Sequence, residues 1–525
     1  MIKALLLFSV ISLAASASAK DLVILHTNDT HSNIEPDARG RGGILQRKAV
    51  IDSVRAAEKN VILIDAGDMV QGTLYFKFFR GEVEYPLFNL FDYDVRVLGN
   101  HEFDNGMDEL ARHYRDAKGA HLSANYDFSE TPLKGVFDPF VIRKIDGKKI
   151  GIIGLNVDPH SLIDASNTKG MKFLPIIKTA NETAALLKEK KKCDLVIAVT
   201  HIGYINLADR KRETDVMLAR QSKDIDIIIG GHSHTTLNPD DAKSAPHIVK
   251  NSQGRPVLVA QTGKYGKYVG EIKIDLDRLK SSDPSDYAYR LIPVTDRFSA
   301  DKLDPRINEL LLPYKHKMDS VNSRVIAESL YDLPNGVQTG GYPNFAGDFG
   351  LWFGRHIADS LSQSGAPARV DMAIMNVGGI RQPMPAGNVT EGEILSSFPF
   401  SNRMMIIALK GSDIIEAMKV AAKRGGEAIS GNVRVVCDKM RNLHRVVIDH
   451  QEMDPAKTYY VATIDYLANG NDGMETLANH SVIWSDDKEM SAHMLRYVEH
   501  YGELGLPIAP DQSPRFLTEA YPPKK

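Results

Sequence analysis

The chain has 525 residues, 43% hydrophobic and 25% charged, with 64 Lys and Arg against 67 Asp and Glu and a formal charge of −3. This composition excludes a disordered chain, a collagen and a coiled-coil rod, and it shows no basic excess of the kind a nucleic-acid polymer demands. The length sets a prior of three or four domains. Histidine is the informative count: with 17 His and 2 Cys, a bound metal has to be held by imidazole and carboxylate.

Residues 1–19 read as a signal peptide. Lys3 supplies the positive start, Ala4 to Leu13 the short apolar core, and Ala17-Ser18-Ala19 the cleavage pattern before Lys20. The apolar run is shorter than the ~20 residues that span a bilayer, so the expectation is export and not membrane insertion. Cys193 and Cys437, far apart in the chain, read as two unpaired buried thiols.

Residues 20–300 read as one layered α/β domain. Apolar runs at Leu22–Leu25, Val61–Ile64, Val95–Leu98, Leu195–Val199 and Ile225–Ile229 are predicted strands, and Gly43 to Asn60 has helical periodicity. Each strand ends in polar ligand types: Asp29 and His31, Asp68, Asn100 and His101, His201, then His232 and His234. Any one of these is an ordinary turn or cap residue. Five strand ends together are a different matter, because ligands in open α/β sheets collect at the carboxyl ends of strands. Gly67, Gly99, Gly230 and Gly231 beside them let backbone approach closely. A set of Asp, Asn and His without Cys suits two divalent ions, Zn, Mn or similar, with Mg or Co compatible. Two such ions sharing a carboxylate serve phosphoester chemistry.

The strings His26-Thr27-Asn28-Asp29-Thr30-His31, Gly67-Asp68-Met69-Val70-Gln71-Gly72 and Gly99-Asn100-His101-Glu102-Phe103-Asp104, with His201 and Gly230-Gly231-His232-Ser233-His234, resemble a calcineurin-like metallophosphoesterase of the secreted 5'-nucleotidase and UDP-sugar hydrolase family. The resemblance implies a four-layer metallophosphoesterase α/β sandwich followed by a second α/β (α+β) substrate-binding domain. It implies one metal on Asp29, His31, Asp68 and His234 and another on Asp68, Asn100, His201 and His232, with Asp68 bridging. It implies a catalytic His101 paired with Asp104, and the bacterial periplasm as the compartment. A carboxylate beside an imidazole favours the protonated ring, which suits a donor to phosphoryl oxygen.

A polar stretch from Leu279 to Ala300 leads into Asp304-Pro305, an N-cap with Pro at the first helical position. Residues 301–325 read as a linker helix, with Pro313 predicted to kink or break it. Residues 326–525 read as the second domain. There Val370 to Met375 is a predicted strand, followed by Asn376-Val377-Gly378-Gly379-Ile380-Arg381. This resembles the family's phosphate loop, with Val377 replacing a glycine, and implies Asn376, Gly378, Gly379 and Arg381 as substrate contacts. Arg355, in a string resembling a family helix opening, is a further phosphate candidate. Phe398-Pro399-Phe400 and Tyr466-Leu467-Ala468-Asn469-Gly470-Asn471-Asp472-Gly473 resemble the family's base-binding loops. They imply that Phe400 and Tyr466 sandwich a nucleobase and Asp472 takes ribose hydroxyls. The expected reaction is hydrolysis of nucleoside 5'-monophosphates, a small-molecule nucleotide being the partner. Nucleotide diphosphates, UDP-sugars and 2',3'-cyclic nucleotides are alternatives, as are a thiosulfohydrolase of sulfur oxidation and a non-catalytic binding protein. The sequence leaves oligomeric state open.

Overall fold

The computed structural model describes residues 21–37, 39–160, 162–206, 212–279, 283–337, 340–363 and 369–519. The predicted signal segment 1–19 lies outside these residues. No helix among the described residues is long and apolar enough to cross a membrane.

In the strand Asp21–Thr27, Leu22 and Ile24 enter one apolar cluster while Val23 and Leu25 enter another. The strand Asn60–Asp65 repeats this, with Ile62 and Ile64 on one side and Leu63 on the other. A period of two with apolar residues at every position is what a strand covered on both faces requires. These strands sit at the centre of a six-stranded sheet, flanked by Tyr268–Asp275 and Ala288–Pro293 on one side and by Val95–Val97 and Ala120–Leu122 on the other. A second six-stranded sheet runs Ile248–Lys250, Pro256–Ala260, Ile227–Ile229, Leu195–His201, Lys148–Asn156, Phe140–Ile145. Leu22, Ile24, Ile62 and Ile64 share one core with Ile152, Ile197 and Ile228 of that sheet. The outer faces are covered by Ile44–Ala57 and Met107–Tyr114 on the first sheet and by Ile176–Ala185 and Asp215–Gln221 on the second. The result is the four-layer α/β sandwich expected from sequence.

Asp304 caps the helix Pro305–Ser323 by accepting from the Arg306 amide. The predicted break at Pro313 does not occur: one helix runs through it. Pro313 lies on the exposed side, where water can satisfy the carbonyl that loses its partner. On the other side Ile307, Leu311, Met318 and Val321 anchor the helix in the first-domain core.

The second domain is built on a five-stranded sheet in the order Ala428–Ile429, Met372–Met375, Thr458–Ile464, Arg403–Lys410, Ser481–Glu489, beside a four-stranded sheet. The helix Gly341–Gln363 lies antiparallel to Met372–Met375: Gly350 faces Ala373 and Met375, and Gly354 faces Val370. Leu395, from the short helix Glu391–Ser397, is buried in the first-domain core and joins the two domains. Cys193 and Cys437 are both buried and unpaired.

Candidate active site

Asp29, Asp68 and Asn100 converge because three neighbouring parallel strands end in register, Thr27 beside Asp65 and Asp65 beside Arg96, while His201, His232 and His234 come from two paired parallel strands of the second sheet. The exit loops of the first sheet stay bonded past the strands. The Asp29 amide donates to the Gly67 carbonyl at 2.9 Å, His31 to Asp68 at 3.0 Å and Ser32 to Met69 at 2.9 Å. Asp29, His31, Asp68, His232 and His234 all take left-handed backbone, with φ between 48° and 73°. Strain of that kind costs about 1–3 kcal/mol per residue and persists where surrounding structure imposes it.

Asp68 sits at the centre. Its Oδ2 lies 3.8 Å from His31 Nε2 and 3.1 Å from His201 Nε2. On one side His31 Nε2 is 3.0 Å from His234 Nε2, and Asp29 Oδ1 is 3.4 Å from His234 Nε2. On the other, His232 Nδ1 is 2.9 Å from Asn100 Oδ1. The seven predicted ligands thus form two groups sharing Asp68, and three-residue subsets of both offer ligand atoms within 4.8 Å of one another. The chemistry of the donors fits divalent cations. His31 Nε2 and His234 Nε2 face each other with Asp29 Oδ1 within 4 Å of both, and His201 Nε2 faces Asp68 Oδ2, so imidazole nitrogens and carboxylate oxygens point at common centres. His201 Nδ1 is 2.7 Å from the Ala66 carbonyl, which fixes the proton there and turns Nε2 inward. Burial, with Asp68 adding to it, raises Asp29 above the usual carboxylate range. Burial disfavours a charged His201, but Asp68, with Asp29 and the Ala66 carbonyl, outweighs it and lifts the ring to about 10. These carboxylates demand positive charge at their centre.

His101 borders this group. Its Nδ1 is 2.9 Å from Asp104 Oδ2, and its amide donates to Asp68 Oδ1 at 3.0 Å. Burial opposes a charged ring, yet Asp104 and then Asp68 hold the His101 pKa above the ordinary imidazole value.

Two supporting residues escaped the sequence reading. Glu102 accepts from the Asp68, Met69 and Gly99 amides at 3.1, 2.8 and 2.6 Å, so one carboxylate clamps two strand-end loops. The Glu of Gly-Asn-His-Glu was its visible signal. Glu102→Ala is expected to weaken metal binding about 10–100-fold, the usual cost of losing an outer-shell partner, as read by metal titration. Asn28 holds Asp29 Oδ2 at 2.6 Å and is itself fixed by Thr262 and Gly263. A Cβ at Gly99 would collide with the Asp68 carboxylate, and one at Gly231 would come within 2.7 Å of His201 Nδ1.

The second domain brings its own group to the same place. Asn376 leaves the carboxyl end of Met372–Met375, and residues Val377–Gly379 form a single turn that presents Gly378 and Gly379. The Val377 amide donates to Glu427, a buried carboxyl that burial pushes up to about 7. Arg381 crosses to the first domain, where Nη2 donates to Gln71 Oε1 at 3.2 Å while buried Nε has no partner. The Arg381 guanidinium lies 5.7 Å from the Phe400 ring centroid, and that ring is 5.9 Å from the His101 ring. Tyr466 donates to Asp472 Oδ1 at 3.3 Å, and Arg424 lies 3.5 Å from the same oxygen. Asp472 Oδ2 is buried without a partner.

Arg355 is not brought to this group. It is exposed, next to Gly354, which faces Val370 just before the strand whose opposite end leads into Asn376. The helix runs antiparallel to that strand and carries Arg355 away, so the phosphate contact expected for it has no geometric support.

Residues 22–236 match the family described as calcineurin-like phosphoesterase, and residues 346–479 the 5'-nucleotidase C-terminal domain. The trifunctional nucleotide phosphoesterase protein YfkN of Bacillus subtilis is 27% identical over 96% of this chain, which spans 35% of that relative. The 5'-nucleotidase of Homo sapiens is 28% identical, over 88% of this chain and 85% of its own length. The crystal structure of a 5'-nucleotidase precursor from Thermus thermophilus superposes with a TM-score of 0.80 at 28% identity, covering 96% of this chain and 100% of that one.

Proposed function

The chain belongs to the metallophosphoesterase family in which a calcineurin-like domain precedes a 5'-nucleotidase C-terminal domain, and on that premise we propose that it is an exported 5'-nucleotidase that converts nucleoside 5'-monophosphates and water to nucleosides and phosphate. It is a metal-dependent phosphoester hydrolase of the nucleotide phosphoesterase kind. The observation that supports the finer reading is Phe400, whose ring is 5.9 Å from the His101 ring and 5.7 Å from the Arg381 guanidinium, near enough for a nucleobase stacked on it to belong to a nucleotide whose phosphate meets both.

In this reading Asp29, His31, Asp68 and His234 hold one divalent ion, and Asp68, Asn100, His201 and His232 the other, Zn and Mn suiting the donors best. Bound ions neutralise phosphate charge and supply a nucleophile at neutral pH. His101, kept protonated by Asp104, donates to a phosphoryl oxygen as charge develops there. Arg381 grips the phosphate with the nitrogen that has no protein partner, beside Asn376 and the amides of Gly378 and Gly379. Phe400 and Tyr466 stack on the base, and Asp472 Oδ2 accepts from ribose hydroxyls. Residues 1–19 as a signal peptide, and the precursor status named for the Thermus relative, support export to the periplasm. A thiosulfohydrolase or a non-catalytic metal-binding protein would need neither ring nor Asp472.

The paired variant Phe400→Ala, Tyr466→Ala tests the reading. Stacking is worth about 1–3 kcal/mol per base, so KM for AMP should rise at least ~10-fold in initial-rate assays. Unchanged AMP kinetics would remove the base clamp.

A further inference from the structure

Asp68 leads through Gln71 into the short helix Leu74–Phe79, and there Lys77 reaches out of the first domain. Its Nζ donates to Glu489 Oε2 at 2.7 Å and to Ser491 Oγ at 2.8 Å. The Lys77 side chain is 8% exposed, and both acceptors belong to the second domain. An ammonium buried to that degree needs more than one acceptor, and it is destabilised if they leave.

Glu489 is also the anchor of the segment that carries Phe400. It stands opposite Arg403 where the strand Ser481–Glu489 pairs with Arg403–Lys410. The next amide, Met490 N, donates to the Asn402 carbonyl at 2.7 Å. Ser491 Oγ also donates to the Glu489 carboxylate at 3.2 Å. Burial alone would raise the Glu489 carboxyl, but Lys77, with the Ser491 hydroxyl, holds it below its usual range. A chain of contacts therefore runs from the segment after Asp68, through Lys77 and Glu489 and the adjoining Met490 amide, to Asn402, two residues from Phe400.

We propose that Lys77 is a positioning residue: through Glu489 it ties the Phe398–Asn402 loop to the first domain and so sets Phe400 beside His101. Lys77 touches neither substrate nor reacting atoms. Its kinetic consequence rests on the 5'-nucleotidase reading above, because what it positions is the base-stacking ring.

The test uses the full chain as wild type, Lys77→Met, Lys77→Arg, Glu489→Gln and the Lys77→Met, Glu489→Gln pair. Hydrogen exchange is followed across the protein, and KM and kcat are measured for AMP and for ribose 5-phosphate, which lacks a base. Lys77→Met should speed exchange in residues 398–404 and 487–493 and leave the first-domain core protected. It should raise KM for AMP about fivefold or more while kcat/KM for ribose 5-phosphate stays within about twofold. Lys77→Arg should recover much of the AMP affinity, and the double variant should be no worse than either single one. Unchanged exchange at 398–404 in Lys77→Met overturns the proposal, as does equal loss on both substrates. If wild type shows no preference for AMP over ribose 5-phosphate, the base clamp falls, and the exchange result still decides whether Lys77 ties the loop.

Discussion

His101→Ala is expected to lower kcat for AMP by about 10²–10⁴-fold, the range for a positioned proton donor, while metal content stays at the wild-type level. The second part of that expectation follows from the proposed assignment: although His101 also offers a nitrogen near His31 and Asp68, the ions are assigned to the seven other residues, and His101 Nδ1 is committed to Asp104 at 2.9 Å. The effect should have a pH signature. Asp104 and Asp68 together outweigh burial and raise the His101 pKa above its ordinary value of 6.5. A raised pKa keeps the ring protonated through neutral pH, and the protonated form is lost as pH rises through the shifted value. Activity should therefore fall on an alkaline limb that His101→Ala abolishes. Asp104→Asn should move that limb to lower pH, because it removes the larger of the two raising charges. An alkaline limb unmoved by Asp104→Asn would show that another group carries the proton.

Asp68→Asn should have the larger effect on the metals. Asn tolerates left-handed backbone nearly as well as Asp, so at a φ of 54° the substitution removes charge without adding strain. Alanine at the same position would confuse the two. Asp68 Oδ2 lies 3.8 Å from His31 Nε2 on one side and 3.1 Å from His201 Nε2 on the other, closer to the second group than Asp29 Oδ1, which is 4.0 Å from His201 Nε2. The neutral amide should thus weaken both ions, where His234→Ala should weaken only the one on its own side. Charge stabilisation by an ion is worth several kcal/mol, and ~1.4 kcal/mol is tenfold, so kcat should fall about 10³-fold or more. Metal analysis should read below one ion per chain for Asp68→Asn. Two retained ions would mean that Asp68 does not bridge.

The grouping of the seven predicted ligands was legible in the sequence because each follows an apolar run. Parallel strands align their carboxyl ends, so residues from Asp29 to His234 meet without any local signal of contact. The supporting residues were harder to see. Glu102 reads as one more acid in a loop until its three amide donors are counted, and Glu427 as a helix-end charge until the Val377 amide is found on it. Arg355 shows the opposite failure. A string match places a residue in a helix, but it does not say which end of the neighbouring strand that residue faces. Pro313 was misjudged for a related reason. Local propensity predicts a break, whereas Ile307, Leu311, Met318 and Val321 hold the helix by tertiary packing. The contact between Lys77 and Glu489 spans 412 residues of chain, and nothing in either segment announces it.

The most direct measurement is phosphate release by the full chain, stripped with chelator and reloaded with Mn, Zn or Co. AMP, ADP, a UDP-sugar and 2',3'-cyclic AMP are offered side by side. A two-metal 5'-nucleotidase should release phosphate from AMP after reloading, lose that activity on chelation, and bind close to two ions per chain. Absence of phosphate release from AMP with every ion, or undiminished release after chelation, would contradict it.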